Sequence, residues 1–561
     1  VRDKTSKFYH QLRGLNGPLV SFSREAFFVR SWFCWLVVFW VFGSTQVWAD
    51  EKSEALKSEL AALTQTKLKD TIAVLQQLEE RHGEALLPTF KFYLAGQLYF
   101  VKANKRLITV EKVGAEKFYK DLFDQASLPA FEKKAIKKIR LNNKIRTHLR
   151  QAIARLQLSN PEASLRLASV KSLLGKVDES MVITLQKLAQ DETHGKVKSA
   201  MDLAINLYHA EFAEGDEQTS AVIALGSSLE PQVRVKLTEL QNKELTTDLA
   251  KQVSTSLTAI ENKTRFYNRL DTLFFGLSLG SVLLLAAVGL AITFGVMGVI
   301  NMAHGEMIML GAYTTYVVQL LLPNHVAYSI WLAIPLAFTV SALVGMAIER
   351  GVIRFLHGRP LETLLATFGI SLILQQTVRT LFSPLNRQVS TPEWMSGSIE
   401  LNPVLSLTLN RLYIFLFALI VFALLVLILK KTALGLQVRA VSQNRAMAKA
   451  MGIRTERVDA LTFGLGSGIA GIAGVALSQL TNVGPNLGQA YIIDSFMVVV
   501  FGGVGNLFGT FTAAFTLGIA NKFLEPVTGA VLASIFVLVF IILFIKKSPK
   551  GLFPQKGRAA E

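Results

Sequence analysis

The stretch GVINMAHGEMIMLGAYTTY, Gly298 to Tyr316, is apolar enough for a membrane yet holds an amide, an imidazole and a carboxylate at Asn301, His304 and Glu306. An imidazole and a carboxylate can exchange protons, and an amide both donates and accepts hydrogen bonds. The trio could therefore serve acid–base chemistry or line a polar path. On a helix His304 falls on the side of Asn301 while Glu306 points elsewhere, so a single three-residue catalytic centre is not expected. Two readings stay open: a structural turn joining two spans, or part of a substrate path. Gln375 and Gln376 lie within another apolar run, Asp494 near the end of one, and Asn506 among Gly502, Gly503, Gly505 and Gly509 in VVVFGGVGNLFGTF. Polar side chains in lipid are costly and face an interior or a pore, which makes all seven residues candidate path lining. Headgroup level is the alternative for Glu306 and Asp494. The glycine-rich segment reads either as re-entrant backbone or as a tight turn.

These residues need apolar elements to place them. The chain has 561 residues, 51% hydrophobic and 18% charged, but the averages hide two unlike halves. From Asp271 to Ile545 apolar runs are read at 272–299, 306–322, 329–348, 361–382, 411–429, 459–480, 491–505, 508–523 and 528–545. Several fall short of the roughly 20 residues that cross a hydrocarbon core, so eight to ten transmembrane helices are expected. The net charge of +18 is read as topology, since Lys and Arg collect in cytoplasmic loops. Arg350, Arg354 and Arg359, the loop from Lys430 to Arg457, and Lys546, Lys547 and Lys550 all fall on one side, giving N-out, C-in. Charge counting then puts Asn301 to Glu306 near the inner face. With no basic stripe interleaved with aromatics, nucleic acid is not a partner. The segment between the fourth and fifth spans, with three prolines and Trp394, falls outside, as a partner surface or a solvated loop.

The other half, residues 50–269, reads as helical throughout, with apolar residues three and four apart. Three weakly similar segments beginning at Ser159, Asp191 and Ser228 suit HEAT-like helical pairs at a period of roughly 30 to 40 residues, with a plain bundle as the alternative. Before it, basic residues, the run WFCWLVVFWVFG and the small residues Val47 and Ala49 read as a signal peptide over 1–49. The only cysteine, Cys34, lies there, so neither disulfides nor thiolate chemistry is expected of the mature chain. The helical domain would then be extracytoplasmic.

Two motifs need weighing. GSGIAG, Gly466 to Gly471, matches a dinucleotide fingerprint literally, but it lies inside an apolar run with no strand before it. Small residues at that spacing are read as helix packing. In SQNRAMAKAMGIRTERVD, Arg445 to Met451 reads as a short helix parallel to the membrane, ended by Gly452. Such a helix can transmit movement from a soluble partner; an ordinary basic loop is the alternative.

The stretches GLSLGSVLLLAAVGLAITFGVMGVINMAHGEMIMLGAY, TFGISLILQQTVR, GLQVRAVSQNRAMAKAMGI, LTFGLGSGIAGIAGVALSQL and KSPKGLFP together resemble the permease subunits of branched-chain amino-acid-type ABC importers, across 271–553. NVGPNLGQAYIIDSFMVVVFGGVGNLFGT and IANKFLEPVTGAVL resemble more closely the first permease subunit of urea ABC importers. The resemblance implies an all-α polytopic permease over 270–553, followed by a tail over 554–561. It also implies partners: a second related permease subunit, two cytoplasmic ATPase subunits and a periplasmic urea-binding protein. Asn444, Arg445, Ala448 and Gly452 would form the ATPase-coupling loop, although Ala446 stands where the better-known signature has Glu. The chain has no GxxxxGK[ST] loop of its own, and no cofactor, metal or enzymatic activity is expected. Import of short amides or branched-chain amino acids, or passive urea conduction, are the alternatives.

Overall fold

The computed structural model describes residues 56–553 apart from 114–115, 125, 130 and 133; the signal-peptide segment and the tail after 553 lie outside the described residues. Contacts divide the chain into two compact units, 1–221 and 222–561.

The first unit opens with α1 (Thr71–His82) and α2 (Leu87–Leu94), then departs from the helical reading. Leu98–Val101 (β1), Leu107–Val113 (β2), Glu116–Asp121 (β3), Ser127–Leu128 (β4) and Ile136–Lys138 (β5) form an antiparallel sheet in the order β4-β3-β2-β1-β5. The reason is local. Tyr99, Phe100, Val101, Ile108, Thr109 and Val110 are aromatic or β-branched and fit a pleated surface better than a helix. Leu98, Leu107, Leu75, Phe90, Tyr93 and Leu149 share one core, and Tyr93 donates to the Arg140 carbonyl at 2.8 Å. Then come α3 (Asn143–Gln157), α4 (Ala163–Leu173), α5 (Glu179–Asp191) and α6 (Gly195–Phe212); the division at 221 falls within the next helix, α7 (Asp216–Leu225). Asn142 and Asp178 cap α3 and α5 through their side chains. Arg166 forks onto Glu192 at 2.7 and 2.8 Å, which holds that carboxyl down at about 2.

The second unit contains α8 (Pro231–Gln241) and α9 (Thr247–Met297), then α10 (His304–Leu321), α11 (Val326–Gly351), α12 (Pro360–Phe382) and α13 (Leu409–Lys431). A basic connection holds α14 (Ala433–Gln443) and α15 (Arg445–Ala450), followed by α16 (Thr455–Ser478), α17 (Leu487–Gly502), α18 (Leu507–Thr528) and α19 (Ala530–Lys547). Each of the nine apolar runs falls on one of these helices. Seven of them are long and apolar enough to cross a membrane among the described residues; α17 is a shorter apolar helix.

The centre of the bundle is α9 and α16, whose apolar windows are each 83% buried, against 17–33% for α11, α12, α13, α18 and α19. They are antiparallel: Val296 at the end of α9 and Val458 at the start of α16 share one small core. They cross with almost no gap, since a methyl on Gly466 would lie 2.6 Å from the Gly289 carbonyl oxygen and one on Gly289 would meet the Gly466 carbonyl. The GSGIAG glycines therefore serve helix approach, the role small residues have where lipid removes the hydrophobic drive. The reciprocity extends further. A methyl on Gly305 of α10 would lie 2.7 Å from the Gly488 oxygen of α17, and Gly488 meets Gly305 in return. α11 packs on α16 as α18 packs on α9. The run α9–α10–α11–α12 is thus repeated by α16–α17–α18–α19 in the opposite direction, the inverted arrangement found in many transporters.

The segment between α12 and α13 carries a hairpin, Ser398–Glu400 (β6) with Ser406–Thr408 (β7). It is pinned to the bundle: Gln319 donates to Ser390 O at 2.8 Å and accepts from Ser390 N at 2.9 Å, and Trp394 donates to Ala327 O at 2.8 Å.

Candidate functional site

α9 ends at Gly298, which adopts a left-handed φ of 67°, and the chain then turns back into the bundle without helix until His304. His304 Nε2 donates to the carbonyl of Ala286 at 2.9 Å, so the six non-helical residues Gly298 to Ala303 regain the depth between Met297 and Ala286. That depth is about 17 Å of helix at 1.5 Å per residue; the chain before the turn at Asn301–Ala303 and the reach of the imidazole together cover it. Three neighbours confirm the level: Ser341 in the middle of α11 donates to Met307 O at 3.1 Å, Thr367 of α12 accepts from Met302 N at 3.1 Å, and Ser371 at the middle of α12 reaches Glu306. The expectation that this stretch lies at the inner face is corrected; it is a re-entrant joint in the bundle interior. Charge counting assigns each helix end to a face but says nothing of a segment that turns back.

Within the joint the three polar residues part company. Asn301 Oδ1 accepts from Ala303 N at 3.0 Å, closing the turn. His304 ties α10 to α9. Glu306 faces α12, where its Oε1 accepts from Ser371 Oγ at 2.9 Å and Gln375 Nε2 at 2.7 Å. All three are fully buried, at 1%, 0% and 1% exposure. Asn301 Nδ2, His304 Nδ1 and Glu306 Oε2 are buried with no hydrogen-bond partner among the described residues. Buried polar groups ordinarily find partners, and three of the atoms that lack one among the described residues fall within this joint.

On the α12 side of this site sequence reasoning named Gln375 but missed Thr363, Thr367 and Ser371, though a signal existed. The buried residues of α12 are Thr363, Thr367, Ser371, Gln375 and Val378. The first four recur every fourth position, a polar stripe on one face of an apolar helix. α12 turns that stripe inward and presents its apolar face outward. Gln376, one residue on, is exposed and takes no part. Asp494 is half-buried in the middle of α17. Asn506 caps α18, accepting from Gly509 N at 3.1 Å, and donates to Phe553 O at 3.1 Å. The structure thus joins Glu306 to Gln375, sets Asn301 and His304 in the same joint with partners of their own, and leaves Gln376 and Asn506 out of these bonds.

The basic connection is ordered by its own sequence. Asn444 caps α15, accepting from Met447 N at 2.9 Å. Gly452, with φ 85°, ends the helix: its N–H reaches Lys449 O at 3.1 Å and that of Ile453 reaches Ala448 O at 3.0 Å, the paired bonds of a Schellman motif. Ala448 is buried with Val438, Val441 and Val458. Arg445 clamps Asp459 of α16 with both guanidinium nitrogens, NH1 at 3.3 Å from Oδ1 and NH2 on Oδ2. Burial, followed by the nearby Arg445 charge, pushes the His357 imidazole below its ordinary value. The helix is therefore bolted to a central span.

Seven apolar spans, an inverted repeat and a stiff basic connection define a polytopic transport protein. Residues 272–545 match the family model described as branched-chain amino acid transport system / permease component. The high-affinity branched-chain amino acid transport system permease protein BraD of Pseudomonas aeruginosa is 30% identical over 297 residues, covering 51% of this chain and 96% of its own. LivH of Salmonella typhimurium, named likewise, is 29% identical over 299 residues with the same shares. A probable LivH of Methanocaldococcus jannaschii is 28% identical over 273 residues, covering 47% and 82%. The chain belongs to this family of ABC-type permease components. No solved structure matches it.

Proposed function

We propose that the chain is the first permease subunit of an ABC importer for urea. The observation that carries this reading is the joint around Glu306: in the bundle interior the Ser371 hydroxyl and the Gln375 amide meet one carboxylate, with the Asn301 amide closing the adjoining turn. Urea is neutral and offers both donors and acceptors, which such groups match. The likeness of NMAHGEMIMLGAYTTYVVQ and its companions to urea-type permeases supports the same substrate.

On this reading residues 50–269 lie on the periplasmic side of the inner membrane, behind a signal over 1–49, and 270–553 is the permease. A second permease subunit, two ATPase subunits and a periplasmic urea-binding protein complete the machine. ATP hydrolysis in the partners moves α15, and α16 carries that movement into the bundle through Arg445 and Asp459. The path runs by Asn301, His304, Glu306 and Gln375. The names of the relatives favour branched-chain amino acids as a second reading. Radiolabelled uptake in a strain lacking only this subunit, with leucine and acetamide as competitors, separates them: urea uptake is lost and leucine fails to compete. Unchanged urea uptake overturns the reading, and urea uptake persisting after ATP depletion would point to a channel.

A further inference from the structure

A cavity of about 310 Å³ opens at the basic end of the bundle, between α9, α13, α14 and the start of α18. Its wall is apolar, with Ile292, Val296, Leu429 and Phe508, while Lys430 and Arg439 stand on its lining. Lys430 lies 5.4 Å over the Phe508 ring, and Arg439 donates to the Leu429 carbonyl. Among the described residues neither cation has a carboxylate partner, whereas the nearby Arg445 and Arg354 both do. Two unpaired cations over an apolar cleft suit a ligand with a phosphate at one end and hydrocarbon at the other.

We propose that this cavity binds the phosphate headgroup of an anionic phospholipid, with the acyl portion lying along Ile292, Val296 and Phe508. Free phosphate would satisfy the cations but leave the apolar wall in water, so the lining selects the lipid. Basic clusters at the inner end of membrane helices recruit such lipids, each cation contributing about a fivefold gain in affinity. The position gives binding a consequence. Arg439 belongs to α14, which leads directly into α15, and Lys430 ends α13. A shared headgroup therefore braces the coupling connection against the spans. This inference is independent of the transported solute.

The test places the full chain in mixed nanodiscs of phosphatidylcholine and phosphatidylglycerol and measures the lipid that remains bound by mass spectrometry. Wild-type protein is expected to retain phosphatidylglycerol in preference to phosphatidylcholine. The Lys430→Gln/Arg439→Gln double variant loses about thirtyfold in that affinity, while Lys546→Gln/Lys547→Gln, with the same charge change at the same end of the bundle, keeps it. Equal loss in both double variants would reduce the effect to surface potential and overturn the proposal. So would the absence of any preference in the wild type, or release of the bound lipid by inorganic phosphate, which would mark a free-phosphate site. If the cavity variant does not fold, the single variants Lys430→Gln and Arg439→Gln are each expected to lose about fivefold, and an unchanged preference in both overturns the proposal.

Discussion

At the scale of the residue, the joint around Glu306 separates two roles that one side chain can combine. Its Oε1 accepts from Ser371 and Gln375 and so anchors α12; its Oε2 has no partner among the described residues. Glu306→Gln keeps an acceptor for Ser371 and Gln375, whereas Glu306→Leu removes the acceptor of both at about 1–3 kcal/mol each and leaves only the long Gln375–Ser371 bond of 3.4 Å. We expect Glu306→Gln to assemble normally and Glu306→Leu to be recovered from membranes in clearly lower amount. If the free oxygen belongs to the path, uptake by Glu306→Gln falls at least tenfold, the order expected when one hydrogen bond to a solute is lost. Wild-type uptake by Glu306→Gln would confine Glu306 to anchoring. Glu306 and Gln375 were legible as candidates; Ser371 was not, and neither was the grouping of the three. Glu306 and Gln375 are 69 positions apart, and nothing in the local pattern says that they meet.

At the scale of the element, apolar runs were the most readable feature, because a bilayer imposes both length and composition on whatever crosses it. The end of α15 was legible for a similar reason: only a residue tolerating φ 85° closes a Schellman turn cheaply, and Gly452 announces it. The sheet at Leu98–Lys138 escaped because short β-branched strands sit between Leu-rich helical stretches, and periodicity was read across them. The partner of Arg445 was invisible as well, since Asp459 looked like one more charge in a basic loop. Its side chain is 3% exposed and Arg445 is 34% exposed. A charge-assisted pair of this kind is worth about 1.5–3 kcal/mol, at the lower end where one partner is part-exposed. Asp459→Asn is expected to leave the subunit in the membrane but to loosen α15 from α16, lowering uptake several-fold while ATP hydrolysis by the assembled transporter persists. Parallel loss of hydrolysis and transport would show that the clamp supports assembly rather than coupling.

At the scale of the whole second unit, the inverted repeat accounts for what the glycines do. The relation of the two halves was not read from the sequence as a repeat across these spans. It shows as reciprocal contacts, in which Gly289 and Gly466 each stand against the other's carbonyl, and Gly305 and Gly488 do the same. A joint built on such an axis is where two halves can tilt against each other, which is what alternating access requires of a repeat pair. The crossing can be tested through additivity. Gly289→Ala and Gly466→Ala each force a methyl into a gap too small for it, at about 1–3 kcal/mol. Because both methyls enter the same space, the first opens the room that the second occupies. The double variant should therefore lose less stability than the two single losses combined, by more than about 0.5 kcal/mol. Thermal unfolding of the full chain in detergent measures this, with Gly369→Ala as a control, since a methyl there meets nothing within 4 Å. Strict additivity would mean that the two helices do not cross at these glycines, and the repeat axis would have to lie elsewhere.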